Sequence, residues 1–268
     1  MTKPRARRTF RNWAARQLER REEVSLEKVA PSALTLLGLC SGASAIPFSL
    51  VQEWKLAVAA IFVAMVFDML DGRAARWLGA DSEFGTQLDS LADLVSFGLA
   101  PAVVSFNWSL AKMGIGGWIA ALIFCACSAI RLARFNVMAV RDEGASSAHP
   151  YFTGLPTPAA AAFMMLPLML SFEFKNAVFY NPMFYLTLIA FTSILMVSTV
   201  PTPSLKYVRI TRSVKLLLGL FVCLFAPLLI TAPWATLSAS LALYLATIPF
   251  VIRAAYRARH AHALAVAE

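Results

Sequence analysis

The chain has 268 residues, 59% of them hydrophobic and 15% charged, with a formal net charge of +9. Soluble domains carry roughly 25% charged residues, so one aqueous core cannot hide this much apolar surface and a bilayer must supply part of the solvent. The cations sit beside apolar stretches instead of on one soluble unit, which argues against nucleic acid as a partner and matches the charge placement of membrane proteins.

Residues 1–30 are polar and basic, with Lys3, Arg5, Arg7, Arg8, Arg11, Arg16, Arg20, Arg21 and Lys28 opposed by only four glutamates. No short apolar stretch with a small-residue cleavage site follows, so the segment is expected to be an arm and not a cleavable signal peptide. Its stretch from Thr9 to Glu22 has helical potential, and it either lies on an anionic membrane surface or is a solvated arm. Beyond it, eight apolar segments approach the length of a spanning helix, near 33–50, 56–76, 88–109, 117–135, 157–173, 180–200, 214–231 and 234–252. The expected fold is all-α: a polytopic membrane helical bundle of about eight transmembrane helices over residues 31–253, with a tail at 254–268. Gly38 and Gly42 form a GxxxG pair in the first segment, compatible with packing inside the chain or with a homodimer. The four cysteines, Cys40, Cys125, Cys127 and Cys223, all lie inside apolar runs, without zinc spacing or loop pairing.

Orientation follows from the connections. One set of alternate loops holds only Lys55, Lys112 and Lys175. The other side holds the basic arm, Arg73, Arg76, Arg131, Arg134, Arg141, Lys206, Arg209, Arg212, Lys215, Arg253, Arg257 and Arg259. The positive-inside rule then puts both termini in the cytoplasm, and Trp54, Trp108, Trp118 and Trp234 fall at the opposite ends of the segments, as an interfacial aromatic belt requires.

The second segment ends in FDMLDGRAAR and the third begins LDSLADLVSFG. Carboxylates at a hydrocarbon edge are costly and mark function by default. Asp68 and Asp71 are i,i+3 and share one helix face, while Asp89 and Asp93 are i,i+4 and share another. The connection between the helices is short, so the two acidic faces can meet. Four such carboxylates repel one another unless cations lie between them, and carboxylate oxygens select hard ions such as Mg²⁺ or Mn²⁺. Helix capping, or pairing with Arg73 or Arg76, would account for one pair of aspartates more easily than for two. The small residues Gly72, Ala75 and Gly85 would let a ligand approach the backbone, and Arg76 adds a fixed positive charge suited to phosphate.

The run Asp68-x2-Asp71-Gly72-x2-Ala75-Arg76-x8-Gly85-x3-Asp89-x3-Asp93 resembles the signature of the CDP-alcohol phosphatidyltransferases at all eight specified positions. With each residue type at roughly 5–10% in average composition, a chance match at a given start is about one in a billion. Three further segments, Ser96-Phe97-Gly98-Leu99-Ala100-Pro101, Arg131-Leu132-Ala133-Arg134-Phe135-Asn136 and Phe152-Thr153-Gly154-Leu155-Pro156-Thr157-Pro158, are similar to those of the membrane-type phosphatidylserine synthases of that family. One departure lies at Pro31-Ser32-Ala33-Leu34-Thr35, where relatives often have Asn after the Pro, and Ser32 is expected to serve instead as a helix cap.

This resemblance implies transfer of a phosphatidyl group from CDP-diacylglycerol to L-serine, at the cytoplasmic face of the inner (cytoplasmic) membrane. It implies a divalent cofactor, two Mg²⁺ or Mn²⁺ ions, held by Asp68, Asp71, Asp89 and Asp93, with Asp93 also the candidate general base. Asp68, Gly72, Ala75, Arg76, Ser82 and Gly85 would hold the CDP moiety. Serine presents a carboxylate, and Arg131 and Arg134, one turn apart, are candidates for it together with Ser96 and Asn136; anchoring at the headgroups explains either arginine equally well. His149, His260 and His262 form no metal constellation. Glycerol-3-phosphate, inositol phosphate or choline would use the same aspartates, and an ion-coupled transporter would need acids elsewhere in the spans, where few exist.

Overall fold

The computed structural model describes residues 26–79, 82–142, 152–174, 176–198, 201–202 and 225–247. The basic arm up to residue 25, the tail 254–268 and all three histidines lie outside the described residues, as does most of the seventh expected segment.

Helix α1 covers Leu26–Leu50 and α2 covers Trp54–Leu78. The first starts well before the expected residue 33, which corrects the role given to Ser32. It is an interior helical residue, not a cap. Pro31 falls early in α1, where its missing N–H costs only a bond to the first turn. The carbonyl of Pro31 accepts from the Thr35 hydroxyl at 3.1 Å. Helix α2 ends at Gly79, whose left-handed φ of 58° returns its N–H to the Ala75 carbonyl.

The third helix runs from Glu83 to Trp108 in three parts: α3 (Glu83–Asp93), a π-helical turn (Leu94–Leu99) and α4 (Ala100–Trp108). Ser82 caps it, its hydroxyl accepting from the Gly85 N–H at 3.0 Å. The widened turn has a local cause. Pro101 offers no N–H, and in a regular α-helix its ring would crowd the Phe97 carbonyl. With the wider turn, the Ala100 N–H reaches back to the Val95 carbonyl. Helix α5 (Ile115–Asp142), α6 (Thr157–Glu173) and α7 (Pro182–Val197) follow, the last capped by Asn181. Among the described residues two further helices follow, α8 at 225–231 and α9 at 233–247.

Among the described residues the one extended pairing is antiparallel, β1 (Phe152–Thr153) with β2 (Pro201–Thr202). It straps the chain entering α6 to the end of α7. The Leu155 N–H donates to the Leu195 carbonyl at 3.1 Å, and a Cβ at Gly154 (φ 80°) would come within 2.9 Å of the Met196 carbonyl oxygen.

Among the described residues three helices are long and apolar enough to cross a membrane, Ala30–Leu50, Glu83–Trp108 and Ile115–Met138, and α6 and α7 are shorter apolar helices. Helix α2 has the same length as α1 but carries Lys55, Asp68, Asp71, Arg73 and Arg76. The expected class, an all-helical membrane bundle, therefore holds. Helix α1 packs along α2 and also against α3, the π turn and α4, so it floors the space between the second and third helices. Its two glycines make that possible. A Cβ on Gly42 would sit 2.7 Å from the Ser96 Cα, and one on Gly38 would sit 3.2 Å from the Phe67 Cβ. The GxxxG pair is thus used inside the chain.

At one end of the bundle the aromatic residues join. Trp54 meets Trp108 edge-on at 4.8 Å, Trp108 stacks on Tyr180 at 4.6 Å, and Trp234 meets Phe172 at 5.1 Å. Trp108 Nε1 donates to the Phe179 carbonyl and the Ser109 hydroxyl to the Tyr180 carbonyl. The acidic faces of α2 and α3 lie at the other end of their helices.

Candidate active site

Each acidic pair sits where its helix periodicity places it, and both front a cleft floored by α1. One carboxylate oxygen from each of Asp68, Asp71 and Asp89 lies within 4.8 Å of the others. The lining continues with Thr35, Gly38 and Leu39 of α1, and with Asp93, Ser96 and Phe97. Asp71 is 5% exposed. The Thr35 hydroxyl and the Gly72 N–H lie within its hydrogen-bond reach, but its Oδ2 is buried with no partner. A buried carboxylate oxygen without a donor is expensive unless something positive meets it. Three convergent carboxylates with one orphaned oxygen form a hard-donor set that fits a divalent cation.

Asp93 stands one turn further along. Its side chain is within hydrogen-bond reach of Asp68, and the cation acting on it is Arg131 from α5. Arg131 is itself held by a hydrogen bond from its Nη1 to Thr157 Oγ1, at the first residue of α6, and its Nε is buried without a partner. Asp93 and Tyr244 are its electrostatic neighbours.

The other candidates divide. Arg76 is exposed in the last turn of α2, where a cation also favours the helix C-terminus, and Gly72 and Ala75 are half-buried beside it. Ser82 and Gly85 bond to each other as the cap of α3. Ser96 is buried in the π turn, lines the cleft, and donates to the Gly38 carbonyl at 3.4 Å. Asn136 joins α5 to α3, its Nδ2 donating to Ser90 Oγ at 2.9 Å. Arg134 instead caps α7, donating to the Val197 carbonyl. Of the two arginines, the structure brings only Arg131 to the aspartates.

Sequence reasoning did not find Thr35, Thr157 or Tyr244. Thr35 and Thr157 stand close to prolines in the chain, and only the helix arrangement gives them their neighbours. Tyr244 carries no local signal.

A multi-helix membrane protein with a carboxylate cluster at one end of two adjacent helices is the class that the fold and site define. The family model for CDP-alcohol phosphatidyltransferase matches residues 28–202, about two thirds of the chain, and the chain belongs to that family. It is 38% identical over 237 residues to the CDP-diacylglycerol–serine O-phosphatidyltransferase of Mycobacterium tuberculosis strain H37Rv, covering 87% of this chain and 81% of the relative. The protein of that name from Helicobacter pylori strain 26695 is 31% identical over 216 residues, 80% of this chain and 87% of its own. The one from Bacillus subtilis strain 168 is 35% identical over 176 residues, 66% of this chain and 90% of its own.

Proposed function

We propose that this chain transfers the phosphatidyl group of CDP-diacylglycerol to L-serine, giving phosphatidylserine and CMP. The observation that carries this is the shared name of relatives from three bacterial genera, aligned over 66–87% of the chain. The aspartate cluster supplies matching chemistry. Asp68, Asp71 and Asp89, with Asp93 beside them, would hold Mg²⁺ or Mn²⁺, two ions in this proposal. Bound there, divalent cations supply charge neutralisation to the pyrophosphate and to the departing CMP.

The chain's own residues do the rest. Gly72, Ala75 and Arg76, with the Ser82–Gly85 cap, would seat the nucleotide. The serine hydroxyl oxygen forms the new bond to the phosphatidyl phosphorus, the bond from that phosphorus to the CMP oxygen breaks, and Asp93 takes the hydroxyl proton. Arg131, with an unpartnered buried Nε–H, is the donor for the serine carboxylate. Arg134 and Asn136 already serve α7 and α3, and we assign them to holding the acceptor pocket in shape. Eight spans with cytoplasmic termini complete the proposal, in the inner membrane with the cluster at the cytoplasmic face. The one-sided distribution of arginine and lysine supports that orientation.

The test is an acceptor panel. Purified protein with CDP-diacylglycerol is offered labelled serine, glycerol-3-phosphate, inositol phosphate or choline. Serine alone should give labelled phospholipid; turnover with another acceptor and none with serine would refute the assignment.

A further inference from the structure

Two contacts fix how α5 lies along the third helix. Asn136 bonds to Ser90 of α3, and a Cβ on Gly98 of the π turn would come within 3.1 Å of the Ser128 Cβ. Asp93 falls between Ser90 and Gly98 in the chain, and Arg131 falls between Ser128 and Asn136. The pairing is antiparallel, so the two contacts bracket Arg131 at the level of Asp93. There Arg131 donates from Nη1 to Thr157 Oγ1, while its Nε is buried without a partner. Thr157 is the first residue of α6 and is fully buried.

Thr157 is itself held in place from both sides. One turn along α5, Arg134 bonds to the Val197 carbonyl at the end of α7. Two residues earlier on α7, the Leu195 carbonyl accepts from the Leu155 N–H at 3.1 Å, just ahead of Thr157. Three hydrogen bonds therefore close a circuit: α5 to α7 through Arg134, α7 to the entry of α6 through Leu155, and α6 back to α5 through Thr157. The β1–β2 pairing braces the same junction.

We propose that Thr157 is a positioning residue for the acceptor's carboxylate, its hydroxyl oxygen holding the Arg131 guanidinium by Nη1 so that the opposite edge meets that carboxylate. The proposal rests on the serine assignment and adds to it.

The shape of the guanidinium carries the argument. Its N–H groups lie in one plane, and Nη1 is the terminal nitrogen on the Cδ side. A bond from Nη1 leaves open the edge formed by Nε–H and Nη2–H, which is the two-donor fork that matches a carboxylate. A buried Nε–H with no partner is costly, and a carboxylate on that edge removes the cost. Because a long side chain loses rotamer freedom when it is fixed, anchoring the guanidinium beforehand lowers the ordering cost of binding. A hydroxyl suits the anchor, since it accepts a hydrogen bond without bringing a negative charge that would compete with the acceptor.

The experiment compares full-length wild type, Thr157→Val and Thr157→Ser in lipid nanodiscs, with serine and CDP-diacylglycerol each varied in turn. Valine keeps the shape and removes the oxygen; serine keeps the oxygen. We expect Thr157→Val to raise the serine KM roughly tenfold, with kcat and the KM for CDP-diacylglycerol within about twofold, and Thr157→Ser to stay within about threefold of wild type throughout. If Thr157→Val does not purify folded, Thr157→Ala carries the same expectation. An unchanged serine KM, a parallel rise in both KM values, a loss confined to kcat, or a Thr157→Ser protein as impaired as Thr157→Val overturns the proposal. If wild type forms no product from serine, the assignment of function falls first and this inference with it; if it does, any of those outcomes sinks this inference alone.

Discussion

Asp71 is the aspartate with the least freedom. It is 5% exposed, with Thr35 and Gly72 in reach of its side chain and Oδ2 unpaired. A threonine hydroxyl has one proton, so Thr35 serves either the Pro31 carbonyl or Asp71 at any moment. Without a cation, a buried negative charge beside Asp68 and Asp89 destabilises the fold. Asp71→Asn should therefore raise the melting temperature of metal-free protein by several degrees and lower turnover by at least a hundredfold, read by thermal denaturation and product formation. Lower stability with turnover intact would remove Asp71 from the site. The four aspartates were legible in the sequence because helical spacing alone puts each pair on one face. Thr35 and Thr157 were not, since their significance comes from helices remote in sequence. Arg131 and Arg134 looked equivalent at one-turn spacing; what separates them is the position of α7, whose end Arg134 caps.

At the level of elements, the break in the third helix matters most. The π turn follows Asp93 directly and ends just before Pro101, so it sets the rotation of the acidic face relative to α4. One residue more or less in a helix turns it by about 100°. The close approach of Gly42 to Ser96 and the bond from Ser96 to the Gly38 carbonyl hold this widened turn against α1. Pro101→Ala lets the turn relax toward a regular helix and should lower kcat about tenfold or more while leaving the melting temperature within a few degrees. Wild-type kcat would show that the contacts with α1 alone fix the geometry. The proline was visible in the sequence, but its effect was not, since a proline near a helix start and one inside a helix read alike. The same ambiguity misplaced the start of α1, where Pro31 and Ser32 looked like a boundary and are interior.

The whole molecule has two unlike ends. One gathers Trp54, Trp108, Trp234 and Tyr180 in ring contacts, and the other gathers the carboxylates with Arg131. Apolar length, the one-sided cations and the tryptophan positions make this polarity legible in the sequence, because the bilayer imposes it on residue choice directly. Which helices touch was not legible, and the cleft depends on it: α1, which contributes no acid, floors the space in which the acids meet. The proposed function requires this cluster to be filled by divalent cations. The most direct measurement is phosphatidylserine formation by purified, chelator-stripped protein as Mn²⁺ or Mg²⁺ is added back. Turnover should be absent without metal and return with saturable dependence on it; full turnover in the presence of chelator would contradict the account.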